Sequence, residues 1–84
     1  MPITTLSMRE TAEVMGTSRA RVSVLIKDKK LAADMVLDLD EMAIKWRVHV
    51  DSIRKRITWL TEQSYINTED AQACLERLDK ILNA

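Results

Sequence analysis

Proline is absent after Pro2, and glycine occurs once, at Gly16. A chain with so few breakers has one position where the backbone turns left-handed at no steric cost. Elsewhere little forbids helix. The sequence therefore predicts an all-α fold: a small helix-turn-helix domain of four to five helices with a C-terminal helical hairpin. Residues 1–38 are expected to form the helix-turn-helix unit. Residues 39–84 are expected to supply supporting and self-association helices, within one compact domain.

Local signals place most of these helices. Ser7, with Glu10 three residues later, has the form of a capping box, and the helix it starts should stop at Gly16. Thr17 or Ser18 should cap a second helix running to about Lys29, with Lys27, Lys29 and Lys30 at its negative C-terminal end. Residues 31–37 are a connector with room for a short extended piece at 35–37. Asp38 and Glu41 resemble another helix start. From Leu39 apolar residues fall at 39, 42, 46, 50, 53, 57 and 60, a helical spacing. Arg47, Val48, His49 and Val50 are weak helix formers, so 39–63 is either one helix or two with a turn there. A last helix should begin at Asn67 or Thr68.

Composition narrows the function. One cysteine, Cys74, and one histidine, His49, exclude a disulfide framework and a multi-cysteine metal site. No nucleophile–base pair and no glycine-rich phosphate loop is visible. The expectation is no enzyme, no catalytic residue, no metal and no cofactor. No apolar run approaches the ~20 residues that span a bilayer. No signal-peptide pattern appears either, so the expected place of action is the cytoplasm. Trp46 and Trp59 read as core or interface anchors. The methionines read as packing, and Cys74 as a small apolar residue.

The formal net charge is zero but unevenly spread. Residues 1–30 carry six basic and three acidic side chains, and 31–44 carry none and four. Residues 45–58 carry five and one, and 59–84 two and five. At a Debye length of about 8 Å such segments act locally, so a neutral total leaves room for a basic face.

The stretch that carries function is 8–27. A helix-turn-helix needs a small residue where its helices cross, a glycine four residues later, and an aliphatic residue six beyond that. Ala12, Gly16 and Val22 stand at those positions. The outer face of the second helix would hold Ser18, Arg19, Ala20, Ser23, Val24 and Lys27, with Arg21 to the side toward the DNA backbone. Thr17 before the helix and Lys29 and Lys30 beyond it are also counted as DNA-binding. Arg19 suits a bidentate contact to guanine, and the lysines suit phosphate. Ala20 and Val24 are small enough to let the helix sit deep. An echo of the motif at an offset of 31 pairs Ala12 with Ala43, Met15 with Trp46 and Val22 with Ile53. It makes Arg54, Lys55 and Arg56 a candidate second basic face, on a second helix-turn-helix or a supporting helix.

Residues 11–33, TAEVMGTSRARVSVLIKDKKLAA, resemble the helix-turn-helix of phage and mobile-element DNA-binding proteins. Two groups are similar: excisionase-type directionality factors, including the Cox and Apl kind, and the N-terminal domains of small terminase subunits. LDLDEMAIKW at 37–46 is similar to the helix that follows the recognition helix and wing in the latter. The resemblance covers about 6–46. It departs in a very short wing region without a glycine turn, and in a length too small for a terminase subunit's oligomerisation parts. It implies a sequence-specific DNA-binding regulator, a transcriptional repressor or a recombination directionality factor, with double-stranded DNA as ligand and a recombinase as a candidate partner. The alternatives are a DNA-packaging recognition protein and a helical protein-interaction module. Self-association, as a dimer or a DNA-bound array, is expected through residues 46–82, with Trp46, Val50, Ile53, Ile57 and Leu60 facing a stripe of Ala71, Leu75, Leu78 and Leu82.

Overall fold

The computed structural model describes residues 3–84. Its elements run β1 (Thr5–Ser7), α1 (Met8–Met15), α2 (Arg19–Lys27), β2 (Ala33–Asp38), β3 (Ala43–His49), α3 (Val50–Glu62) and α4 (Thr68–Leu82). The expected all-α fold is overturned: four helices accompany a three-stranded antiparallel sheet of order β1-β3-β2. A second helix-turn-helix is excluded with it, because the residues that would form its first helix are strand β3.

The helix starts follow local chemistry. The Ser7 Oγ accepts the Glu10 N–H at 3.1 Å, and the Glu10 carboxylate accepts the Ser7 N–H at 3.0 Å. Gly16 ends α1 at φ 64°, ψ 38°. There the Gly16 N–H reaches the Glu13 carbonyl at 3.3 Å and the Thr17 N–H the Ala12 carbonyl at 3.0 Å, closing the α1 C-terminus as a left-handed cap does. Ser18 caps α2 through the Arg21 N–H, and Asn67 caps α4 through the Asp70 N–H.

The strands appear where distant pairing outweighs local preference. Between β2 and β3 the register is continuous, from Ala33 opposite Val48 to Asp38 opposite Ala43. Asp38 is a cap, but of a turn rather than a helix. Its Oδ1 accepts the N–H groups of Asp40 at 3.0 Å and Glu41 at 3.2 Å, and the chain then reverses into β3. Met42 takes φ 49° in this turn, the left-handed conformation for which no glycine is supplied. β1 adds to the other edge of β3, with Leu6 opposite Val48. Arg47 donates to the Thr5 hydroxyl and carbonyl across that seam, at 3.3 and 3.2 Å.

One core joins these parts. Leu6, Val14, Val22, Val48, Ile53, Ile57 and Leu78 are all but inaccessible, drawn from both ends of the chain and from the sheet. The sheet therefore crosses the 38/39 boundary expected between two units. The apolar stripes expected to drive self-association through 46–82 are largely spent inside: Val50, Ile53, Ile57, Ala71 and Leu78 are buried. Arg77 of α4 ties down α1. Its Nε and Nη2 donate to the Val14 carbonyl at 3.1 and 2.9 Å, which places a cation at a helix C-terminus that has no basic residue of its own. No described helix is long and apolar enough to cross a membrane.

Candidate nucleic-acid interface

Helix α2 presents its side chains in three directions. Val22 and Leu25 point into the core. Ala20, Val24 and Lys27, spaced to share one face of a helix, are exposed, with Ser23 half-buried beside them. Arg19 and Arg21 leave on opposite flanks. Arg19 lines a cleft with Arg9 of α1 and with Ile44, Lys45 and Trp46 of β3. Arg21 lines a smaller cleft with Thr17 and with Arg56 and Leu60 of α3. The helix thus lies in a frame, the hairpin on one side and α3 on the other, with a shallow outer face of small side chains.

The helix start also faces outward. Thr17 and Ser18 are exposed. The Ser18 Oγ accepts the Arg21 N–H at 3.1 Å, so its own proton remains free for an acceptor. The first-turn N–H groups carry the positive end of the helix dipole. Lys29 and Lys30 are exposed as well, but beyond the helix, in the turn leading to β2, with Lys29 at φ 60°.

The three cations of the second basic face separate. Arg54 turns toward α4, its Nη2 3.9 Å from the Asp79 carboxylate. Lys55 projects into solvent. Arg56 lies toward α2, its guanidinium 4.5 Å from the Trp59 ring centroid, and Trp59 stacks on Tyr65 with centroids 5.5 Å apart. Trp59 is 41% exposed, so of the two roles expected of it, core or interface anchor, it does not fill the first. Met35 and Met42 are likewise exposed rather than packing residues. Arg9 and Lys45 are cations beside α2 that the sequence did not single out, and Arg56, expected on a second basic face, joins them there. Only the fold brings them there.

The hairpin has a different electrostatic character from α2. Asp34, Asp38, Asp40 and Glu41 outnumber Lys45 and Arg47 in residues 33–47. Lys45 pairs with Glu41 at 2.8 Å and Asp38 at 3.4 Å. The Glu41 N–H, with Lys45 and the Asp40 N–H, holds the Asp38 carboxyl below its ordinary range, and the bond to Glu41 with that to Asp38 raises Lys45. His49 Nε2 lies 3.0 Å from Asp34 Oδ2. Among the described residues no group of three or more His, Cys, Asp or Glu side chains is gathered for a metal.

Comparison with protein-family models, with curated proteins and with solved structures returned no match.

Proposed function

We propose that this chain binds double-stranded DNA sequence-specifically, with α2 as the recognition helix in the major groove. The observation that carries this is the outer face of α2: Ala20, Ser23, Val24 and Lys27 form a surface low enough for close approach, and arginines stand at both flanks of its first turn. Arg19 is the residue placed to read a base edge, since an arginine fork matches the O6 and N7 acceptors of guanine. Lys27, Arg21 and the exposed helix start at Thr17 and Ser18 meet phosphates, which fix register without reading sequence. Arg9 and Arg56 widen this basic rim on the two sides.

Such a protein is a regulator of a phage or mobile element, acting in the host cytoplasm as a transcriptional repressor or a recombination directionality factor. One helix gives a small footprint, so more than one copy on repeated half-sites is the working form.

The test is a gel-shift titration on a selected binding site. Arg19→Ala should lose about 1–3 kcal/mol of discrimination against the wrong base pair, roughly 5- to 150-fold. Lys27→Ala should weaken all sequences alike and reduce the salt slope by about one unit. Unchanged affinity and unchanged sequence preference in the Arg19→Ala protein would remove the assignment.

A further inference from the structure

Among the described residues, strand β2 has β3 on one side and no strand on the other. Natural sheets guard such an edge with lysine, proline, a bulge or inward-pointing charge. Residues 33–38 contain no lysine, proline or glycine, and their pairing with β3 runs through six consecutive residues without a bulge. The two charges on β2 are engaged within the hairpin, Asp34 by His49 and Asp38 by Lys45.

The edge is also apolar. The register sets Ala33, Met35 and Leu37 opposite Val48, Trp46 and Ile44 on one face of the hairpin. Met35, Leu37 and Ile44 are 63%, 58% and 64% exposed, and Leu39 and Met42 at the turn still more so. Five large apolar side chains thus stand open in one hairpin, and monomers seldom leave large contiguous apolar surface exposed. The same hairpin carries four carboxylates, Asp34, Asp38, Asp40 and Glu41, so a phosphate backbone is the wrong neighbour for it.

We propose that β2 is the seam of a symmetric dimer, in which the β2 strands of two copies pair antiparallel into a six-stranded sheet. The chemistry of the strand selects its own copy as the occupant. Directly opposed residues of an antiparallel pair lie on the same face, so a twofold axis normal to the sheet must pass a residue paired with itself. A dyad at Val36 sets Asp34 against Asp38 of the other copy, two carboxylates face to face. A dyad at Met35 sets Asp34 against Val36 and Ala33 against Leu37, and joins the apolar rows of the two hairpins. That register also carries the acidic turn of each copy alongside the exposed Lys29 and Lys30 that precede the other copy's β2. Asp40, which makes no ion pair in its own hairpin among the described residues, then meets Lys30. The charge match occurs twice, once on each side of the axis.

A dyad normal to the sheet keeps corresponding faces on the same side. Trp46, on the Met35 face, lines clefts with Arg19 and with Ile26 of α2. Both α2 helices therefore lie on one side of the joined sheet, as two half-sites on one duplex require.

Sedimentation velocity on the DNA-free protein, from low to high micromolar, reads the dimer without reference to DNA binding. The wild type should dimerise. Met35→Lys with Leu37→Lys should be monomeric with an unchanged far-ultraviolet circular dichroism spectrum, because both side chains are exposed. Asp40→Lys should weaken the dimer by about tenfold, and adding Lys30→Asp should restore it. Opposed Cα atoms in an antiparallel pair are about 4.5–5.5 Å apart, within disulfide range. Met35→Cys should therefore cross-link to a dimer on oxidation and Val36→Cys should not, Cys74 being buried in both. A wild type that stays monomeric, a dimer indifferent to the lysine pair, no rescue in the charge swap, or equal cross-linking at 35 and 36 would each overturn the seam. If a monomeric wild type loses single-half-site binding when Met35 becomes lysine, the hairpin belongs to the DNA interface and the seam is wrong. If the lysine variant is monomeric and still binds one half-site, the seam stands. A dimer that binds no DNA overturns the recognition-helix reading alone.

Discussion

Replacing Gly16 by alanine should destabilise the protein by about 1–2 kcal/mol, and the structure isolates the reason. Gly16 sits at φ 64° and ψ 38°, and an L-residue held in the left-handed region costs roughly 1–2 kcal/mol. The other contributions are small. A Cβ at this position would meet only the Nη2 of Arg77 at 3.4 Å, close to ordinary van der Waals contact. The closing hydrogen bonds come from the Gly16 and Thr17 N–H groups, which alanine retains. For a domain of this size each kcal/mol moves the melting temperature by about 4–8 °C, so the alanine protein should melt roughly 5–15 °C lower. Urea unfolding followed by circular dichroism should show a lower midpoint at constant slope. Gly16→Asn should lose less, because asparagine tolerates this region, and Gly16→Val more, because a β-branched residue resists it. An alanine variant that melts with the wild type, or equal losses for asparagine and valine, would refute the backbone argument and leave the turn with no special need for glycine.

Ala12 is buried where α1 meets its neighbours, and Ala12→Leu should cost about 1–3 kcal/mol by overpacking, read as a lower urea midpoint. Asp38 is held below its ordinary value of 3.8 by the Glu41 N–H first and by Lys45. A depressed folded value means that the turn's stabilisation is present above 3.8 and fades as pH falls through the lower folded value. The amide resonances of Asp40 and Glu41 should therefore titrate below 3.8 and lose that transition in Asp38→Asn; a midpoint at or above 3.8 would contradict the hydrogen bonds.

The parts of this fold that were legible in the sequence are those decided within a few residues. Ser7 and Glu10, Gly16, Ser18 and Asn67 act on their own helix ends, and each stands where its chemistry suggested. The hairpin was illegible for a physical reason. The Asp38 carboxylate accepts two following N–H groups whether a helix or a tight turn comes next, so the cap signal did not distinguish them. The apolar spacing at 39, 42 and 46 continued by coincidence into the true helical stripe of α3. The alternation of Lys45, Trp46, Arg47 and Val48, which belongs to a strand, was hidden beneath it. β1 is three residues long and exists because residues 47–49 stand beside it. At the candidate interface, the outer face of α2 could be listed from helical geometry. The company of Arg19 and Arg21 could not, since Arg9, Lys45 and Arg56 reach them only through the sheet and the crossing of α3.

The seams that hold α1 and α2 in place have a consequence for how this protein comes into being. Thr5–Ser7 pairs with residues 47–49, and the carbonyl of Val14 is held by Arg77, so the first elements are secured by segments made much later. During synthesis the contacts that fasten the early helices arrive in stages, with residues 47–49 first and Arg77 last. The unit is then a poor candidate for transplantation. Residues 7–30 grafted onto another scaffold would carry the outer face of α2 and leave behind the strand and the arginine that hold α1 in place. Loss of the last helix should be felt first as a looser grip at α1, far along the chain from the cut.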